Sequence, residues 1–203
     1  MGDSDAGQLK EAGPEPDAHA KGTQAPSAAD PSTNPSAGTA SGGRRGPVRS
    51  KALLLYAGER TPHRSCGIAL AEAFDRPTAA YQSLRRGGIT GTGTCGAVVA
   101  GRLLLGEYLG DPDPTGSVTP ALREAALAYE RRVDAELERG PSPSLICNDL
   151  VAAQGEFRGA RRHQFCTALV GQVAGIVDEL LRERGVDHRP SPVTLDDGSV
   201  EEF

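Results

Sequence analysis

At 203 residues, with 22 basic against 27 acidic side chains, the chain has room for one or two domains and is too acidic for a broad nucleic-acid footprint. Residues 1–50 hold no aromatic residue and a single Leu in a background of Ala, Pro, Ser, Gly, Asp and Thr. They bury too little apolar surface to offset the entropy of ordering, which excludes them from a core and predicts a disordered arm.

The arm's Lys10, Lys21, Arg44, Arg45 and Arg49 nearly balance its six acidic residues, so the net acidity resides in the rest of the chain. The cluster from Arg44-Arg45 to Lys51 reads as a solubilising hinge. No apolar leader is visible, and no run approaches the roughly 18 apolar residues of a membrane span. The expectation is a soluble cytoplasmic protein without membrane or nucleic-acid partners.

After the arm, residues 51–185 are enough for one core. From Arg64 to Phe74, the residues Cys66, Ala69, Leu70, Ala73 and Phe74 fall at i, i+3, i+4, i+7 and i+8, a helical stripe. Pro77 ends that segment or opens a further helix reaching about Arg86. Glycines between Gly87 and Gly93 break the chain, and the Ala-, Val- and Leu-rich run from Cys95 to Leu109 follows as a buried helix.

Beyond the turn from Gly110 to Gly116, Thr119-Pro120 supplies an N-cap and a first helical residue. The helix it opens is expected to run to Arg139, with Ala125, Tyr129, Val133 and Leu137 inward, and Gly140-Pro141 stops it. The last segment, about Arg161 to Arg184, repeats Cys166, Leu169, Val170, Val173, Ile176, Val177, Leu180 and Leu181 at threes and fours. No hairpin signal is evident, and residues 186–203 read as an acidic tail. The prediction is all-α: a single compact bundle of five to seven helices between a disordered arm and a short tail.

The four cysteines, Cys66, Cys95, Cys147 and Cys166, all lie in the helical region. In a reducing compartment such thiols serve catalysis or metal binding more often than structural bridges. Cys95 is placed in the first turn of its helix with Thr94 or Thr92 as N-cap, where unpaired N–H groups and the helix dipole favour a thiolate. The preceding glycines allow the close backbone approach an anion or cofactor cradle needs, which makes Gly93, Thr94, Gly96 and Ala97 the candidate cofactor-binding residues.

The order Cys66, the block G-T-C-G-A-V at Gly93–Val98, Cys147, and Cys166 opening an amphipathic helix resembles the C-GCAxxG-C-C family, described as putative redox-active proteins. The likeness runs from about Lys51 to Arg184. It implies that these are the family's four cysteines and that Gly96 and Ala97 are motif residues. The motif's closing glycine falls at Ala100, with Gly101 one place later. The small alanine preserves close helix packing, whereas a cofactor needing bare backbone there would be affected.

His63-Arg-Ser-Cys66 and His163-Gln-Phe-Cys166 share an H-x-x-C spacing that sets imidazole and thiol on one helical face. Three readings stay open. In a thiol–disulfide protein, Cys95 attacks and another cysteine resolves. In a metal site, Cys66, Cys95, Cys147 and Cys166 hold an iron–sulfur cluster or zinc. In a helical interaction module, the thiols are small buried hydrophobes. No C-x-x-C, G-x-S-x-G or phosphate-loop lysine is present, and Glu72, Asp196-Asp197 and Glu201-Glu202 read as solvated surface. The redox partner is left unspecified.

Overall fold

The chain folds as an all-α bundle. The structure, a computed structural model, describes residues 46–203, so the expected disorder over 1–45 lies outside the described residues. The first helix, α1 (Pro47–Ala57), begins inside the segment assigned to the arm. Pro47 at its first position needs no amide partner, and Gly58 closes it at φ 67° with its N–H on the Leu54 carbonyl. Val48, Lys51, Ala52 and Leu55 form its buried face. The arm's composition averaged that short stripe away, so the boundary at Ser50 cut through a helix.

Next come α2 (Cys66–Ala73) and a 3-10 turn (Ala79–Leu84), which replaces the helix expected from Pro77 to Arg86. Helix α3 (Gly96–Leu109) takes Cys95 itself as N-cap, displacing Thr94 and Thr92 from that role. In α4 (Pro120–Glu136) the Leu122 N–H donates to the Thr119 hydroxyl at 3.1 Å, as the Thr-Pro pair predicts. Two short pieces, α5 (Cys147–Val151) and a 3-10 turn (Ala152–Gln154), lead into α6 (Ala160–Arg182).

Helix α6 is the hub of the bundle, packing against α1, α2, α3 and α4. Its Val173, Ala174, Val177 and Leu180 are fully buried. By length and composition alone α6 could cross a membrane, contrary to the expectation that no stretch comes close; most of its apolar stretch is buried in the bundle. At the α3–α4–α6 crossing, a Cβ on Gly101 would lie 2.3 Å from the Tyr129 hydroxyl and 2.9 Å from Val173. That absent side chain lets the Tyr129 hydroxyl donate to the Val98 carbonyl at 2.8 Å.

The expected acidic tail is folded. Strands β1 (Val193–Thr194) and β2 (Val200–Glu201) pair antiparallel, Val193 with Glu201 and Thr194 with Val200. Val193 and Leu195 are buried in the common core. A local alternation only two residues long carries no readable strand signal, which is why the hairpin went unpredicted. His188 stacks on Phe74 with ring centroids 5.6 Å apart, and the Ser191 N–H donates to Asp75 at 2.8 Å. Asp75 also pairs with the buried Lys51 ammonium, so one carboxylate joins α1, the end of α2 and the tail. Glu72, read as free surface, forms a two-pronged ion pair with Arg64 at 2.9 and 3.0 Å.

Candidate functional site

Three of the four cysteines begin helices. Cys66 is the first residue of α2, Cys95 the N-cap of α3 and Cys147 the first residue of α5, while Cys166 lies two turns into α6. All four line one cavity of about 590 Å³, and all four are free thiols. Their sequence separations of 29, 52 and 19 residues are therefore closed by packing.

The glycine loop does this work locally. The Cys95 N–H donates to the Leu145 carbonyl at 2.8 Å and the Cys147 N–H to the Gly93 carbonyl at 3.0 Å, an antiparallel bridge centred on Thr94 and Ile146. Asn148 N–H reaches the Gly91 carbonyl at 2.9 Å, and Gly93 N–H the Gly87 carbonyl at 3.0 Å. A Cβ on Gly87, whose φ is 57°, would lie 2.5 Å from the Cys147 Cβ. A Cβ on Gly96 would meet the Leu84 carbonyl oxygen at 2.1 Å and the Cys66 Sγ at 2.8 Å. These glycines let cysteine-bearing segments touch.

That arrangement changes the role foreseen for the candidate cradle. Gly93, Thr94 and Gly96 are absent from the cavity wall, and only Ala97 of the four lines it. The Gly93 N–H and carbonyl are both spent on internal pairing, so they have no donor left for an anion. Ala100 is fully buried and also off the cavity wall, so the departure from the closing glycine concerns helix packing.

Burial decides the protonation of the thiols. It pushes the Cys95 thiol up to about 12, reinforced by the Cys66 charge and opposed by the nearby Val98 and Ala97 N–H groups. The foreseen low-pKa thiolate at Cys95 is thus corrected: the dipole of a helix start, about half a unit charge, is outweighed by desolvation at a site with 8% exposure. Burial likewise raises Cys66 to about 11, with the Gly67 N–H opposing and Cys147 and Cys166 adding to the rise. Burial also raises Cys147, but there the Arg162 and Arg86 guanidiniums pull the other way. At Cys166 burial is opposed by the Tyr56 hydroxyl, within hydrogen-bonding reach, and by Arg162.

The two H-x-x-C histidines do converge, though not as ligands. Their ring centroids are 5.6 Å apart, with Tyr56 stacked on His163 and edge-on to His63. His163 Nε2 contacts the Ala57 carbonyl at 3.0 Å and His63 Nδ1 the Tyr56 carbonyl, so both cap the C-terminal end of α1. Orphan carbonyls at a helix end attract such N–H donors. Among the described residues no three His, Cys, Asp or Glu side chains form a group able to hold a metal ion. Cys66, Cys95, Cys147 and Cys166 line the cavity, and no three of them come together as a donor set for a single metal ion such as zinc.

A family model described as "Putative redox-active protein (C_GCAxxG_C_C)" matches residues 65–180, more than half of the chain. The chain belongs to this family. No curated protein and no solved structure matches it. The matched segment holds all four cysteines and α2 to α5, together with all of α6 but its last two residues. Helix α1, which brings Tyr56 to the cavity, precedes it.

Sequence reasoning overlooked several wall residues: Tyr56, Ser65, Arg85, Arg86, Phe157 and Arg162. Arg162 was readable in principle. It lies four residues before Cys166, one helical turn away on the same face. Tyr56 could be found only with α1 in place.

Proposed function

We propose that the protein carries out thiol–disulfide exchange in this cavity, with Cys147 as the attacking thiol and Cys166 as its resolving partner. One observation carries the reading: four free thiols from four separate segments line a single cavity. Cys147 is favoured as attacker because two guanidiniums, Arg162 and Arg86, stabilise its thiolate, whereas Cys95 and Cys66 are held protonated at neutral pH. Cys166 shares Arg162 with Cys147 and has the Tyr56 hydroxyl beside its sulfur.

In this scheme the Cys147 thiolate attacks one sulfur of a substrate disulfide, forming a mixed disulfide and expelling the other sulfur as a thiolate. Cys166 then loses its proton and attacks the Cys147 sulfur, which closes an internal disulfide and releases the second substrate thiol. The protein loses two electrons and the substrate gains two. Since the thiols are raised, exchange accelerates as pH rises above neutral. The reading takes the protein as cytoplasmic, where a reducing milieu returns the dithiol.

Thiol counting tests it. The fully reduced chain should titrate four thiols, and mild oxidation should remove two, with peptide mapping locating Cys147 and Cys166 in one disulfide. An unchanged thiol count after oxidation would discard the proposal. A disulfide linking Cys66 to Cys95 instead would keep the activity class and overturn the assigned roles.

A further inference from the structure

We propose that the cavity is built for a small disulfide bearing carboxylate groups, held by Arg85, Arg86, Arg158 and Arg162 while its S–S bond meets Cys147. This deepens the thiol-exchange reading and rests on it. The observation behind it is a mismatch of charge. The whole chain carries a net −5, yet the cavity wall contains four arginines, two histidines and no Asp or Glu.

None of the four is neutralised by a carboxylate among the described residues, although Arg162 also donates through Nη1 to the Phe157 carbonyl and lies beside Cys147. No carboxylate among the described residues pairs with Arg85, Arg86, Arg158 or Arg162, whereas most other arginines of the bundle, such as Arg64, Arg132 and Arg182, do find one. The Arg162 Nε is buried at the cavity without a hydrogen-bond partner, and so is the Ser65 hydroxyl. A buried donor left unpaired is costly, so both are groups a ligand would satisfy.

Two of these cations are fixed against one ring of the cavity wall. Arg86 and Arg162 both lie over the Phe157 ring, 4.7 and 3.9 Å from its centroid, which fixes two guanidiniums at the same edge of the cavity. Arg86 is held at φ 49°, a left-handed conformation that is strained for a non-glycine residue. Guanidinium forks match carboxylates in two-pronged fashion. Leu150, Val151, Leu169 and Val170 form the apolar remainder of the wall, suited to the methylenes between a carboxylate and a sulfur. A volume of about 590 Å³ lies within the usual range for small ligands.

The exchange itself balances as written above: the incoming dicarboxylate disulfide is the oxidant, the Cys147–Cys166 dithiol is the reductant, and two carboxylate-bearing thiols leave. The test is single-turnover oxidation of the reduced full-length chain by three disulfides of similar size. These are 3,3′-dithiodipropionate (anionic), bis(2-hydroxyethyl) disulfide (neutral) and cystamine (cationic). Each rate is divided by that of the same disulfide with 2-mercaptoethanol, which removes intrinsic reactivity.

The expected result is a normalised rate for the anionic disulfide about tenfold or more above the neutral one, with the cationic one slowest. High salt and the double variant Arg85→Gln/Arg158→Gln, both at exposed positions, should bring the anionic-to-neutral ratio toward unity. Equal normalised rates for all three disulfides would overturn the charge selection while leaving thiol exchange standing. An anionic preference unchanged in Arg85→Gln/Arg158→Gln and in Arg86→Gln/Arg162→Gln would locate it outside this cavity and overturn the proposal. Failure of all three to oxidise the protein would overturn both readings.

Discussion

Raising the pH should destabilise this protein through its own cysteines. In the unfolded chain a thiol ionises near 9.0, but burial holds Cys66 at about 11 and Cys95 at about 12 in the folded state. Between those values the native state keeps protons that the unfolded state has released. Stability therefore is fully present below about pH 9 and falls as pH rises toward the folded values. One unit above the unfolded value, each thiol should have removed about 1 kcal/mol, and the two together about 2–3 kcal/mol. Against a total stability of about 5–15 kcal/mol, that is a readable change.

The assay is guanidinium unfolding under reducing conditions at pH 8, 9 and 10, for wild type and Cys95→Ala. The substitution leaves a small void and lowers stability at every pH, so the slope is what is compared. Cys95→Ala should lose about 1 kcal/mol less than wild type between pH 8 and 10. Parallel curves for the two proteins would show that Cys95 titrates alike in both states, and would refute the reasoning that burial dominates its helix-start position.

Arg162→Gln removes the cation shared by Cys147 and Cys166, so both thiols should be pushed further up and their alkylation at neutral pH should slow several-fold. Mass spectrometry of partially alkylated protein reads this, with Cys95 as the unaffected internal reference. Tyr56→Phe should slow Cys166 alone, by about 2–3-fold, the weight of one weak hydrogen bond. Gly96→Ala drives a methyl to within 2.1 Å of the Leu84 carbonyl oxygen and 2.8 Å of the Cys66 Sγ. It should cost about 2–3 kcal/mol and lower the melting temperature by roughly 5–10 °C. An unchanged melting temperature would mean the Cys66 helix stands off from α3.

The sequence by itself determined the helical class and most of the helix boundaries. The stripes of α2, α3 and α6 and the Thr119-Pro120 start of α4 are local patterns, and a helix's own hydrogen bonds and amphipathic face are local physics. The family likeness was equally visible, because it rests on the order of four cysteines and one short block. Tertiary structure decided everything that depends on which faces meet. It placed Tyr56 beside Cys166 and Arg162 beside Cys147, turned the H-x-x-C histidines into caps for α1, and spent the Gly93 N–H on the Gly87 carbonyl and the Gly93 carbonyl on the Cys147 N–H. It also reversed the protonation of Cys95, since desolvation is set by how many neighbours close over a sulfur, and no spacing along the chain encodes that number.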